Sequence, residues 1–559
     1  MAASIDSPSA QHSQRSSSAK LVTRVELSIK CRDLPNMDLF SLTDPICILY
    51  IEDPIAKKWL EYGRTERIDN NLNPDFLKRF EIDYFFEEKQ LMRFELYDVD
   101  SKSEKLKKEK FIGSCDISLG EIVARSPVWR ELRKSPKSRS TRGEIIIAAE
   151  EIDTTKDAVL LEMCANDVDR KDRFGKSDPF LTINKVNPDD STTVIHRTEV
   201  VRNTLDPSWA PFTIPLRSLC GSDYTRPILI ECFDWNQNGA HEFIGSFYTS
   251  IDQILSTPKE QMAVFELENL ALKEKKKDYR HSGMVTVTRA VLKKNYSLVD
   301  YLGAGTRLRC TIAIDLTKSN GLPFDRSSLH YLDQNGQSEN DYERALIAVC
   351  TIMQDYNRDA KFAVYGFGAI PLIDGDGETV AHDFALNGDP SSAECVGVDG
   401  VLTAYRQTLL SVILHEPTCF APIISKVAAQ AHVHENGSGY EVLVILTNGA
   451  LNDLKETTQT IVNASTLPLS IIIVGIGNGD FSAMEVLDGD ERRLASGDVK
   501  AARDIVQFVR VDRFRREGRH SKTNHSKASL SKEVLAELPA QLISYMRANG
   551  IDPKSVTKS

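Results

Sequence analysis

Asp172 and Asp178 sit six residues apart in the stretch Asp169–Phe180, where Gly175 and Pro179 disfavour a helix. Apolar runs flank it, Val159–Leu161 before and Phe180–Ile183 after, so the two carboxylates are predicted on a loop at a sheet end. A second apolar run, Ile230–Phe233, leads into Asp234, Asn236 and Glu242. Carboxylates and an amide oxygen on two loops are the donors a hard cation such as Ca²⁺ takes, about six to eight oxygens at flexible geometry. A third set lies far downstream, where Asp315, Thr317 and Ser319 alternate after the strand-like run Ile312–Ile314. One carboxylate and two hydroxyls in that spacing suit an octahedral Mg²⁺ or Mn²⁺ that keeps its waters, with a purely structural loop as the alternative.

The elements that must position these groups are short alternating strands in the first half of the chain. Val22–Ile29, Pro45–Ile51 and Leu91–Tyr97 are separated by loops rich in Asp, Asn, Pro and Ser, the pattern of an antiparallel β-sandwich. The block then recurs. Asp38–Pro45 matches Asp172–Pro179, Gly63–Pro74 matches His196–Pro207, and Leu96–Gly113 matches Cys232–Gly245. Three ordered matches at comparable offsets indicate a tandem duplication of one domain. The first copy carries Asp38, Asp44, Asp98 and Asp100 where the second carries its acidic groups, but it has Lys110 in front of Phe111. A cation there repels Ca²⁺ unless it points away, and the net basic loop Ser101–Lys110 suits anionic lipid without calcium.

Beyond about residue 295 the runs become continuously apolar: Thr311–Ile314, Phe362–Gly366, Val442–Leu446 and Leu469–Val474. Such runs are strands buried on both faces, and helical stretches Asp341–Asp355 and Pro422–Ala431 lie between them. This predicts a doubly wound α/β domain with function at the carboxyl ends of its strands. A last helix is predicted over Ser531–Ala548, capped by Ser531, stopped at Gly550 and broken or kinked at Pro539. The expected boundaries are a disordered tail at 1–20, β-sandwiches at 21–142 and 143–292, and the α/β domain at 293–559.

Bulk composition narrows the function class. With 41% hydrophobic and 27% charged residues the chain reads as globular, and 559 residues are too many for one core. A net charge of −11 argues against nucleic acid as the partner. Ten cysteines without a CxxC pair are expected as free, largely buried thiols, as in a reducing compartment. No apolar run approaches a membrane span, so membrane contact is expected to be peripheral.

The paired acidic loops resemble those of C2 domains. Carried over residue by residue, that resemblance implies Asp172, Asp178, Asp234, Asn236 and Glu242 as calcium ligands in the second copy, and Asp38, Asp44, Asp98 and Asp100 as a weaker set in the first. Asn236 and Glu242 stand where the family prefers Asp, which implies a response at raised calcium. Arg173 and Phe174 at the loop tip, with Lys275, Lys276 and Lys277, are the expected lipid contacts.

The Asp315 loop resembles the metal-ion-dependent adhesion site of von Willebrand factor A domains, with Thr317 for the usual Ser and Thr418 as the matching threonine. Asn448 stands where that family has Asp. Two C2 domains ahead of such a domain, with Phe174–Phe180, Tyr365–Ala369, Leu469–Gly475 and Arg503–Phe508, resemble the copines. The resemblance implies a cytoplasmic adaptor that calcium recruits to anionic phospholipid, at the plasma membrane or other membranes, and that takes protein partners through its A domain. The alternative is a metal-dependent protein receptor for which lipid is incidental. No enzyme is expected: Gly175–Ser177 lacks the upstream glycine of a phosphate loop, and Thr379 stands where a calcium-binding EF-hand loop needs glycine.

Overall fold

The computed structural model describes residues 23–556 except 39–40, 100–109, 153–156, 172–174, 188, 222, 238, 258–261, 337, 358, 373–377, 490–491 and 513–523. The chain divides into two compact units, one of residues 153–301 and the other of the segments on either side.

The first β-sandwich belongs to the larger unit. Its strands run in the order Trp59–Arg64, Pro45–Glu52, Leu91–Asp98, Lys110–Ser118, Val128–Arg133, Thr141–Glu151, Thr23–Arg32, Phe80–Tyr84. The alternation that marks Thr23–Arg32 as a strand also sets its register, since Val25, Leu27, Ile29 and Cys31 all point into the core. The expected seam at 142/143 is corrected here. Thr141–Glu151 is one strand, paired to Thr23–Arg32 along its length and to Val128–Arg133, so the first sandwich continues through Glu151. Gly143 lies within that strand. Its φ is +86° and a Cβ there would lie 2.6 Å from the Arg32 carbonyl oxygen, so the glycine serves a close strand crossing rather than a linker.

The second sandwich is the smaller unit. Its sheets run Thr192–Arg197, Pro179–Val186, Ile228–Asp234, Glu242–Thr249 and Phe212–Pro215, Ala158–Asn166, Met284–Lys293, Ala263–Glu266. Strand for strand, this is the order of the first sandwich. The duplication read from short phrases is therefore a duplication of topology, around a core that includes Leu161, Leu181, Ile230 and Val285.

The α/β domain has five parallel strands in the order Lys361–Phe367, Arg307–Asp315, Gly439–Thr447, Leu469–Gly475, Val506–Arg510, with Phe384–Ala385 antiparallel at one edge. Every residue of Gly439–Thr447 and of Leu469–Gly475 is buried, as the continuous apolar runs require. Helix Asp341–Tyr356 begins in a capping box between Asn340 and Glu343.

The single C-terminal helix of the sequence reading is two helices, Asn524–Val534 and Leu538–Ala548. Ser531 lies inside the first, its hydroxyl donating to the Ala528 carbonyl, so it is no cap. Pro539 falls in the opening turn of the second, where its missing N–H has no partner to lose. Gly550, at φ +63°, follows that helix as expected. All ten cysteines are free thiols, eight of them buried.

Within the larger unit the first sandwich docks on helix Asp341–Tyr356. Tyr356 donates to the Phe86 carbonyl at 3.1 Å, which leaves Tyr84 as donor in the 2.6 Å bond between the two phenol oxygens. Lys89 pairs with Asp355 at 2.7 Å and Glu88 with Lys532 at 2.5 Å. A Cβ on Gly120 would lie 3.0 Å from the Tyr356 hydroxyl oxygen, so the helix Leu119–Arg125 approaches this closely only with glycine there.

Candidate metal-binding loops

In the second sandwich the acidic loops are tied together by backbone. The Asp178 N–H donates to Asp234 Oδ1 at 2.6 Å, the Asn203 N–H donates to Asp178 Oδ1 at 2.7 Å, and Trp235 N–H donates to the Asp178 carbonyl at 3.0 Å. Ser177 closes the adjoining loop, accepting from Lys171 N–H at 2.9 Å and donating to the Asp169 carbonyl at 3.0 Å. Asp234 ends its strand nearly fully buried, directly opposite Glu242, whose side chain is exposed. Asn236 uses its amide nitrogen on the Ala240 carbonyl at 2.9 Å, which leaves the amide oxygen as its remaining polar atom. These groups suit Ca²⁺: two carboxylates of fixed position, an amide oxygen, and an exposed carboxylate able to swing in.

One feature that sequence reasoning missed sits on this set. Arg202 pairs with Asp178 Oδ2 at 2.7 Å and stacks over the Trp235 ring at 3.9 Å. It is half-exposed, so it occupies one oxygen of Asp178 loosely. Asp172, Arg173 and Phe174 lie outside the described residues. Lys275, Lys276 and Lys277 are exposed at the end of helix Leu270–Lys275, as expected of a lipid-contacting run or a solvated turn alike.

The first sandwich repeats the same skeleton. Asp44 N–H donates to Asp98 Oδ1 at 2.8 Å, Asn70 N–H to Asp44 Oδ1 at 2.7 Å, and Thr43 takes the place of Ser177, bonded to Met37 N–H at 2.8 Å and the Pro35 carbonyl at 2.9 Å. Lys110 enters the expected calcium set. Its ammonium donates to Asp38 Oδ1 and lies 3.4 Å from Asp98 Oδ2. The hydrogen bond from Lys110 holds the Asp38 carboxyl below the usual range. The structure thus brings Asp38, Asp44 and Asp98 together, but around a side-chain cation. Asp100 and residues 101–109 lie outside the described residues.

In the α/β domain the expected loop also assembles. Asp315 ends its strand fully buried; its Oδ1 accepts from the Thr317 N–H at 3.0 Å, the Thr317 hydroxyl at 2.6 Å and the Asn320 amide at 3.1 Å. Its Oδ2 accepts from the Thr447 hydroxyl at 2.7 Å and the Asn448 N–H at 3.4 Å. The Thr317 and Ser319 oxygens are 3.0 Å apart, and the Asn448 amide donates to Ser319 at 2.7 Å. Thr418 is buried on a neighbouring loop and tied to Asn452, whose side-chain oxygen accepts from its N–H at 2.7 Å.

Burial raises the Asp315 carboxyl, although its donors oppose that rise. A Mg²⁺ or Mn²⁺ held by Asp315, Thr317, Ser319 and Thr418 would take over oxygens that now bond to protein donors and to each other, and Asn448 offers an amide where the resemblance has a carboxylate. Asn320, His330 and Thr447 were invisible to motif reading. His330 donates through Nε2 to the Asp315 carbonyl at 2.9 Å and so accepts from the Tyr405 hydroxyl at Nδ1, also at 2.9 Å. Fully buried, it is held down to about 4 and stays neutral. Among the described residues no cluster of three or more His, Cys, Asp or Glu has metal-site geometry, and no helix is long and apolar enough to cross a membrane.

The C2 domain profile matches residues 24–132 and 160–267, and the Copine profile matches residues 328–554. Among solved structures, BON1-C2B is 26% identical, over 25% of this chain and 94% of that one, with a TM-score of 0.21. The calcium-bound C2A and C2B domains of Extended-Synaptotagmin 2 are 16% identical, over 50% of this chain and 100% of that one, with a TM-score of 0.20.

Proposed function

Because the chain belongs to the copine family, with two C2 domains ahead of its copine domain, we propose that it is an adaptor recruited from the cytoplasm to anionic phospholipid by calcium bound at its second C2 domain. The family carries the outline, a calcium- and phospholipid-binding protein that associates with membranes. The finer reading rests on one observation. Asp178 and Asp234 come from different strands yet are locked together by a 2.6 Å backbone-to-carboxylate bond, beside Asn236 and Glu242.

Unloaded, these carboxylates repel an anionic surface. Calcium, when bound, supplies positive charge and coordination positions that lipid phosphate oxygens can fill. Lys275, Lys276 and Lys277 add about 1 kcal/mol each near such a surface. Replacing Asp178 and Asp234 together with Asn keeps both acceptor oxygens and removes both charges. Calcium-triggered pelleting with phosphatidylserine vesicles is expected to vanish while the melting temperature holds; undiminished pelleting would refute the site.

Arg202 sets the threshold. Its half-exposed pair with Asp178 is worth about 0.5–1 kcal/mol, which a metal must displace. Arg202→Ala should therefore lower the half-maximal calcium for vesicle binding about two- to fivefold. An unchanged or raised midpoint would show that Arg202 does not compete.

Protein partners are proposed to dock on the copine domain without a metal bridge, given the internally bonded Asp315 loop. Leu322 and Phe324, exposed by 63% and 69%, stand next to that loop and offer apolar anchors. Changing both to Ser should deplete co-purifying proteins and spare vesicle pelleting; an unaltered set of partners would move the docking surface elsewhere. The role is one of binding, with no catalysis and no nucleic-acid contact.

A further inference from the structure

The duplicated domains share a hydrogen-bond skeleton and differ at one decisive position. In each, the residue opposite the buried strand-end aspartate begins the next strand: Glu242 faces Asp234 in the second domain, and Lys110 faces Asp98 in the first. Both pairs follow a register shift, after Cys232 in one and after Leu96 in the other, so the backbone delivers both side chains to the same end of the sandwich. The duplication therefore reverses the charge at an otherwise equivalent site.

Lys110 does not turn out to solvent. Its stem is part-exposed, but its ammonium is bonded to the half-buried Asp38 at Oδ1 and lies 3.4 Å from Oδ2 of the fully buried Asp98. Asp98 Oδ1 is meanwhile held by Asp44 N–H, as in the second domain. The ammonium thus sits between carboxylates that arrive from two different loops. A lysine on its own strand can supply a compact charge there permanently, with no concentration to respond to.

We propose that Lys110 is the resident cation of the first C2 domain. It offsets one of the negative charges of the acidic loops at every calcium level, excludes Ca²⁺ from them, and leaves calcium sensing in this chain to the second domain. This follows from the geometry of the first domain alone and stands whether or not the second domain is the membrane switch.

Equilibrium dialysis of the full chain against calcium alone tests it. Asp38→Asn in the chain with Lys110 intact is expected to leave calcium uptake unchanged, because Asp38 holds no calcium there. Loss of about one bound ion from that variant would overturn the proposal. Conversely, Lys110→Asp should gain about one bound ion per chain, and adding Asp38→Asn to it should remove the gain.

Lys110→Met provides a second route if the aspartate variant is unstable, and should gain a weaker site than Lys110→Asp. If both variants melt like the parent and neither takes up additional calcium, Lys110 is not what keeps calcium out.

Discussion

Replacing Arg503 with Met is expected to cost the copine domain about 3–5 kcal/mol, because several buried carbonyls lose their donor at about 1–3 kcal/mol each. Arg503 is 7% exposed. Its guanidinium donates to the carbonyls of Leu467, Leu469 and Gln541, the last two at 2.9 and 3.0 Å, and to the Tyr440 hydroxyl at 3.3 Å, while lying 5.2 Å from the Tyr545 ring centroid. One planar fork thus ties the start of strand Leu469–Gly475 to the C-terminal helix Leu538–Ala548.

Met fills the volume of the stem but leaves buried carbonyls without donors, at about 1–3 kcal/mol each. Lys keeps the charge as a single point and cannot span the same acceptors, so Arg503→Lys should fall between. The sensitive readout is amide hydrogen exchange in Leu538–Ala548, which should speed up well before the sandwiches are affected. Protection of that helix unchanged in Arg503→Met would show that its packing does not depend on the fork.

The second large effect is hidden in the native chain because two groups oppose each other. His330, held down to about 4, starts near 6.5 when unfolded. Between those values only the unfolded chain takes its proton, so His330 stabilises fully above 6.5 and loses about 3 kcal/mol as pH falls toward 4.

Glu441 behaves in reverse. It is 2% exposed, its Oε1 accepts no hydrogen bond although His434 Nε2 lies 3.6 Å away, and burial pushes its carboxyl up to about 7 against the charge of Arg309. The folded chain keeps that proton where the unfolded one releases it, so stability is full below about 4.5 and falls by about 3 kcal/mol as pH rises through 7. From 4.5 to 6.5 the two slopes cancel. Glu441→Gln should expose a rise of stability with pH across this window, and His330→Gln a fall. Two variants that both track the parent profile would sink the assignment.

What was legible in the sequence was whatever recurs or alternates. The tandem phrases fixed Asp44 against Asp178 and Asp98 against Asp234, and the structure gives each pair the same backbone bond. The four apolar runs of the second half are parallel strands; Thr311–Ile314, Val442–Leu446 and Leu469–Val474 are buried throughout and write no period, whereas Phe362–Gly366 alternates buried with half-buried residues.

Side-chain direction was not legible. Whether Lys110 points in or out depends on a register shift two strands wide, which no local pattern encodes. The network around Asp315 joins Asn320, His330 and Thr447 across the fold, and none of these belongs to a spaced motif. Arg503 stood in a family phrase, but only the docked C-terminal helix shows what it holds. Pro539 was read as a break because the gap between two helices, 535–537, carries no glycine to announce it.

The first C2 domain meets the copine domain near Tyr84, Phe86 and Lys89, just before strand Leu91–Asp98 begins, whereas its acidic loop lies where that strand finishes. Eight residues at about 3.3 Å each separate the two ends by about 26 Å. The domain is a strut. Its acidic loop is thus held away from the copine domain by the length of a strand rather than by a flexible tether.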